Sequence, residues 1–227
     1  MTHRSQSRSA RVGAGVGALT GVLVAIVRLN PVVTSLGVFF LLIGLSLTIA
    51  PKPIAAPANW TDTLGSSIGI VPGAIITIGG AAILWLMLKQ TAFVSNLLAT
   101  GESDVSAYGS GVNVSAVRVL AYTFGGLIAG IAGITLSAIL HSSQTSLATT
   151  YALLGLAAPI LGGASLGGGR GGMLGTFFGA LAIYELQQLL TAAHLPPSLI
   201  QFSYGAVLIL AVLLGATLFS PRLGKGH

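Results

Sequence analysis

Apolar and polar positions alternate along this chain in long blocks rather than at short periods. Seven apolar stretches, roughly residues 12–27, 32–50, 68–88, 119–140, 151–166, 172–193 and 199–219, are separated by polar connections. About 20 residues at a rise of about 1.5 Å each cross a hydrocarbon core of about 30 Å, so the third, fourth, sixth and seventh stretches are predicted spanning helices. The first and fifth are shorter and glycine-rich. Within the fifth, Pro159 lacks a backbone donor, and the run Gly162-Gly163-Ala164-Ser165-Leu166-Gly167-Gly168-Gly169-Arg170-Gly171-Gly172 cannot hold a stable helix. Irregular backbone at membrane depth must be buried in protein or line a wet cavity, which predicts a broken or re-entrant element over 151–172. The expected fold is an all-α, polytopic transmembrane helical bundle with that glycine-rich element inside it. Residues 1–11 form a basic tail, 12–221 the membrane domain and 222–227 a second tail.

Composition agrees with a bilayer environment. The 227 residues are 53% hydrophobic and 6% charged, with a mean hydropathy of +0.92, whereas soluble domains carry about 25% charged residues. The net charge of +6 comes from ten Lys or Arg against four Asp or Glu. The basic residues stand mostly at the ends of apolar runs rather than in a patch, a pattern that speaks for topology anchoring and against nucleic-acid binding. With no cysteine, a disulfide framework, a thiolate metal site and a cysteine nucleophile are all excluded. Glycine, at 32 residues without a collagen period, suits close helix packing in a membrane.

One connection is both long and polar, residues 89–118, which makes it the expected docking surface. Residues 102–108 can form a short helix there, with Ser103 as its cap and Gly109 and Gly111 to stop it. Placing this loop in the cytoplasm puts Arg28, Lys89, Arg118, Arg170, Arg222 and Lys225 inside, with Lys52, Asp62 and the 142–150 segment outside, if 151–166 counts as a crossing. The tail residues Arg4, Arg8 and Arg11 oppose this order, since three crossings back from the loop lies the outer side. A signal peptide is the other reading of a basic tail before an apolar run, although Arg28-Leu29-Asn30-Pro31 stands where a small-residue cleavage site would be.

Several residues invite chemistry. From residue types alone, 102–114 reads equally as a solvated loop or as a docking element. Val105, Ala107, Gly111 and Val112 could supply the apolar side and stiff ending, and Glu102 and Asp104 could meet basic groups. The 162–172 run lacks the Gly-Lys-Ser/Thr ending of a phosphate loop, so close packing or a hinge is the better reading. Gly13, Gly15, Gly17 and Gly21 likewise fit helix packing better than a dinucleotide fingerprint, there being no Rossmann strand or acidic partner. Glu185, Gln187 and Gln188 fall inside the sixth stretch, where such groups are expensive unless they pair or face water. They read as pathway candidates or as interhelical hydrogen-bonding groups. His141 and His194 read as interfacial residues at helix ends, and the 142–146 run as an outer loop or a surface for a delivery protein. A Ser-His-Asp hydrolase has no support, because the two Asp residues, Asp62 and Asp104, fall on opposite sides of the membrane.

The stretch from Thr91 onward resembles the permease subunits of bacterial, binding-protein-dependent ABC importers for ribose and related sugars. The similarity runs through Thr91-Ala92-Phe93, then Gly101-Glu102-Ser103-Asp104-Val105-Ser106-Ala107-Tyr108-Gly109-Ser110-Gly111-Val112-Asn113-Val114, Ala121-Tyr122 and Gly126-Leu127-Ile128-Ala129-Gly130. It continues through residues 151–158, Leu161-Gly162-Gly163-Ala164-Ser165-Leu166, Gly168-Gly169-Arg170-Gly171 and Leu174-Gly175-Thr176. Pro31-Val32-Val33-Thr34-Ser35-Leu36-Gly37 is similar upstream, so the resemblance covers most of 17–215; it is the order and spacing of these pieces that make it specific. Val105, Ser106, Tyr108, Ala152, Leu154 and Glu185 depart from the usual pattern.

The resemblance implies a multi-pass permease of the bacterial inner membrane, with no cofactor, metal or covalent chemistry of its own. It implies an ABC ATPase subunit, an extracytoplasmic substrate-binding protein, a homodimeric or heterodimeric sister permease and membrane lipid as partners. Residues Glu102, Asp104, Ala107, Gly111, Val112 and Asn113 would couple to the ATPase. Pro159, Gly162, Gly163, Gly168, Gly169, Glu185, Gln187 and Gln188 would form the pathway or hinge. Family members carry further helices at the front, so a truncated, inactive or accessory permease is one alternative and an ATPase-independent small-solute transporter another.

Overall fold

The computed structural model describes residues 2–55, 67–68, 71–143, 145–165, 168–169, 171–194, 196, 198–199, 202–203, 205–207, 209 and 213, without the side chains of 2–7, 67–68, 71–78, 81, 146–148 and 153. The chain divides into two compact units, Met1–Ser146 and Leu147–His227. Most of the seventh apolar stretch, together with Asp62, Arg170, Arg222, Lys225 and the side chain of Arg4, lies outside the described residues.

The first unit is mostly helical. Helix α1 (Thr2–Ala25) is followed by α2 (Pro31–Ile49), whose start is dictated locally. Asn30 is the N-cap, its side chain accepting from the Val32 and Val33 backbone N–H groups, and Pro31 supplies the first helical residue. After short strands β1 (Ile54–Ala55), β2 (Ser67–Ile68) and β3 (Val71–Pro72) come helices α3 (Gly73–Lys89), α4 (Ala92–Glu102), α5 (Asp104–Gly109) and α6 (Val114–Ile139), and strand β4 (Ser142–Ser143). Helices α2 and α6 are each long and apolar enough to cross a membrane. The polar connection 89–118 is therefore not a simple loop. The chain turns through 80° between the end of α3 and α4, and α4 holds because it buries Val94 and Thr100.

Glycine decides how α1 meets α6. A Cβ at Gly17 would press on the Tyr122 carbonyl and come within 3.1 Å of the Gly126 Cα, while one at Gly13 would fall 2.5 Å from the Gly126 carbonyl oxygen. The two backbones touch, as at small-residue crossings in membranes. Gly21 continues the seam against Val119 and Tyr122, whereas Gly15 faces open space. At the opposite ends of α2 and α6 from the α1–α2 turn, β1 pairs antiparallel with β4 through Ile54–Ser143 and Ala55–Ser142. The Ser46 and Thr145 hydroxyls hydrogen-bond beside it at 2.8 Å.

Helix α7 (Thr145–Leu161) and helix α8 (Met173–Ala192) correct two expectations. The 142–146 run, expected as an outer loop, holds strand β4 and the start of α7, and Pro159 sits inside α7 without breaking it. The break comes two residues later, after Leu161. Gly163, at φ +86°, closes the helix by donating to the Ile160 carbonyl (3.0 Å), and Ala164 donates to that of Pro159 (2.9 Å). This is the paired bonding of a left-handed glycine cap, and proline, which keeps its carbonyl, takes part in it as acceptor. In the second unit Ala157, Ala158 and Ile183 form the buried core, with Leu154 and Val207 packed on it.

Candidate functional site

The segment singled out from sequence is a compact, doubly capped element. Ser103 accepts from the Ser106 N–H at 3.3 Å and so starts α5. Glu102 is the last residue of α4 instead, exposed and separated from α5 by the extended Ser103. At the other end Gly111 has φ +86°. Its N–H donates to the Tyr108 carbonyl and that of Val112 to the Ala107 carbonyl, at 3.0 and 3.1 Å. A left-handed residue at this place favours glycine. Asn113 then caps α6 by accepting from the Ala116 N–H at 3.0 Å. The turn between α5 and α6 thus has few loose torsions.

Asp104, in the first turn of α5, is ion-paired with Arg118, one turn into α6. Residue order does not signal that these two meet, because fourteen residues separate them and Arg118 alone reads as a topology anchor. Ala107 is buried at 2% exposure, so it fixes α5 to the protein and is not available to a partner, contrary to its expected place on the apolar docking side. The outward apolar groups are Val105, 83% exposed, and Tyr108, 76% exposed. Tyr108 stands outside the residues expected on the apolar docking side. Its signal was the helical spacing: with Ala107 turned inward, residues 105 and 108 share the opposite side of a short helix.

The turn after α1 lies beside this element. Arg28, Leu29, Asn30 and Pro31 line one cavity of about 1100 Å³ together with Asp104, Val105, Tyr108, Gly111, Asn113 and Arg118. The end of α1 and the starts of α2, α5 and α6 therefore share one side, and Lys52 stands near the β1–β4 pair at the other ends of α2 and α6.

The second set of candidates does not form one site. Gly162 lies against Gly175 of α8, with each carbonyl where the other's Cβ would be, and a Cβ at Gly179 would come within 2.9 Å of the Gly162 nitrogen. Gly168 and Gly169 have φ of +90° and +71° in the irregular stretch. Glu185 is ten residues beyond Gly175, about 15 Å along α8. Glu185 and Gln188 are exposed and Gln187 half-buried. Gln188 donates to the Tyr184 hydroxyl at 2.7 Å, within its own helix. His141 and His194 both follow helix ends in left-handed conformations, at φ 50° and 53°.

The family described as the permease component of branched-chain amino acid transport systems matches residues 9–212. The chain belongs to this permease family. It is 33% identical over 199 residues to the ribose import permease protein of Bacillus subtilis, covering 86% of this chain and 62% of that protein. The ribose import permease protein of Escherichia coli is 32% identical over 213 residues, with 89% and 65% covered. The fructose import permease protein of Rhizobium meliloti is 29% identical over 212 residues, with 88% and 59% covered. The permease thus spans between 59% and 65% of the length of these curated relatives. No solved structure matches it.

Proposed function

We propose that this chain is the membrane-spanning subunit of an ATP-driven importer that moves a ribose-like monosaccharide across the bacterial inner membrane as a multi-pass protein. It works with an ABC ATPase on the cytoplasmic side, a substrate-binding protein outside and a sister permease, and carries out no covalent chemistry itself. The observation that carries this reading is α5. A short helix capped at both ends and tied to α6 by Asp104–Arg118 moves as a unit with that spanning helix. It presents Val105 and Tyr108 to a partner. An ATPase that grips those side chains can displace α6, which is what coupling requires. Asp104, Gly111 and Asn113 serve as stiffeners in this account, Ala107 and Val112 as anchors, and Glu102 as a rim charge. Gly162, Gly163, Gly168 and Gly169 form the irregular stretch that lets α7 and α8 shift, and Pro159, inside α7, supplies a carbonyl to its glycine cap. Glu185, Gln187 and Gln188 face the pathway or the sister subunit, and the sugar names of the relatives support the substrate class.

The test is to tag the chain, extract it from native membranes in mild detergent and identify its partners by mass spectrometry. Wild type recovers an ATPase subunit. Tyr108→Arg, at a site too exposed to disturb folding, recovers it at no more than about a tenth of that level, as expected for an exposed aromatic anchor. Asp104→Ala combined with Gly111→Val lowers recovery as well and uncouples ATP hydrolysis from uptake in proteoliposomes. A well-inserted wild-type chain that brings down no ATPase would turn the reading towards an ATPase-independent transporter.

A further inference from the structure

We propose that the cavity between the α1–α2 turn and α5 binds a phosphate-bearing anion, namely the headgroup of an anionic phospholipid. Among the described residues three ionised groups line it: Arg28, Arg118 and Asp104. Asp104 is already neutralised by Arg118, so the lining keeps one net positive charge. Among the described residues nothing pairs with Arg28, which is exposed and held at φ 60°, a conformation costly for a side chain of this size. A guanidinium offers five N–H donors in a planar fork, so Arg118 can serve a phosphate oxygen while it still holds Asp104.

Depth selects the source of the phosphate. The lining includes Pro31, the first residue of α2, and Val114 and Ser115, which begin α6. Among the described residues these are the two unbroken helices long and apolar enough to cross a membrane, so a cavity at both their starts lies at headgroup level. At about 1100 Å³ it is far larger than a phosphate ion. Apolar walls from Val24, Leu29 and Val112 beside the arginines suit a headgroup with its glycerol. The permease belongs to a family of membrane proteins, so such lipid is always present in excess.

The site shares Asp104, Val105, Tyr108, Gly111, Val112 and Asn113 with the proposed ATPase contact, but its lipid titration uses the permease alone, so each can fail without the other. The delipidated chain is titrated in detergent with phosphatidylglycerol, with phosphatidylcholine and with inorganic phosphate, reading the thermal midpoint and, by native mass spectrometry, retained lipid. Phosphatidylglycerol is expected to raise the midpoint and remain bound, and phosphatidylcholine to do neither. Arg28→Gln is expected to weaken phosphatidylglycerol binding on the order of fivefold. Lys52→Gln, near the other ends of α2 and α6, leaves it unchanged. A midpoint shift from inorganic phosphate alone would overturn the lipid and keep the anion site. Equal binding by wild type and Arg28→Gln would overturn the site. Loss of ATPase recovery in Arg28→Gln, with no phosphatidylglycerol effect, would give the cavity to an acidic segment of the ATPase instead.

Discussion

A hydroxyl in α4 shows how polarity misleads at the scale of one residue. Thr100 is 6% exposed, and among the described residues its Oγ1 has no hydrogen-bond partner. The other two buried threonines are satisfied, Thr20 by the Val16 carbonyl and Thr34 by that of Asn30. A buried hydroxyl without a partner costs about 1–3 kcal/mol, and an isosteric apolar replacement removes that cost. Thr100→Val is therefore expected to raise the detergent-solubilised protein's thermal stability by about 1 kcal/mol, whereas Thr20→Val and Thr34→Val give no such gain. A melting series on the three variants decides it, and a lower midpoint for Thr100→Val would mean that a water or partner group meets the hydroxyl. Caps were the legible part at this scale. Ser103 stands out as a cap because its short side chain precedes a helix-tolerant run, and it is one in the structure. The Asp104–Arg118 pair was not legible, because nothing in a fourteen-residue separation says that the chain folds back.

Elements follow the apolar blocks closely where the block is long, and depart where backbone approach or burial overrides composition. Residues 32–50 and 172–193 give α2 and α8 almost unchanged, being continuous apolar runs bounded by Pro31 and by Gly172. Helix α4 was hidden, since Ser95, Asn96, Thr100 and Glu102 make its sequence look solvated and only Val94 and Thr100 are buried. The start of α7 was hidden likewise by a run of Ser and Thr. Glycine spacing on α1 announced close packing but not which glycines do it. Gly13, Gly17 and Gly21 follow the four-residue repeat of one helix face, and Gly15 stands off it. Gly17→Leu is accordingly expected to cost about 3 kcal/mol or more, since the obstacle is the α6 backbone and not a side chain that can turn aside. Gly15→Leu, with nothing within 4 Å of its Cβ position, is expected to fall within about 0.5 kcal/mol of wild type. Matched melting curves in one detergent test the contrast, and equal losses from both would mean the seam is not at Gly17.

For the membrane-inserted molecule, the question that sequence left open is which way the first unit faces. Arg28 and Arg118 line the cavity where α2 and α6 begin, Lys89 ends α3, and Lys52 stands near the other ends of α2 and α6. By the positive-inside rule the α5 side is expected to be the cytoplasmic one. The arginines of the tail pull the other way, and the α1–α6 seam sharpens the conflict. A Cβ at Gly130 would come within 3.2 Å of the Ser9 carbonyl, so the exposed Arg8 and Arg11 run alongside the level of Gly130, about 14 Å short of the end of α6. Charges at that depth are expensive unless they face water or an acidic group. The orientation carried by Arg28, Lys89 and Arg118 is expected to prevail, because those residues lie at helix ends where snorkelling to the interface is short. A chain without cysteine makes the measurement direct. Lys52→Cys and Tyr108→Cys each introduce one thiol at an exposed position. In intact cells a membrane-impermeant maleimide should label the position-52 variant at least tenfold faster, and in inside-out vesicles the ratio should invert. Labelling of the position-108 variant in intact cells would turn the unit over, put α5 beyond reach of any cytoplasmic ATPase, and make the tail arginines the true anchors.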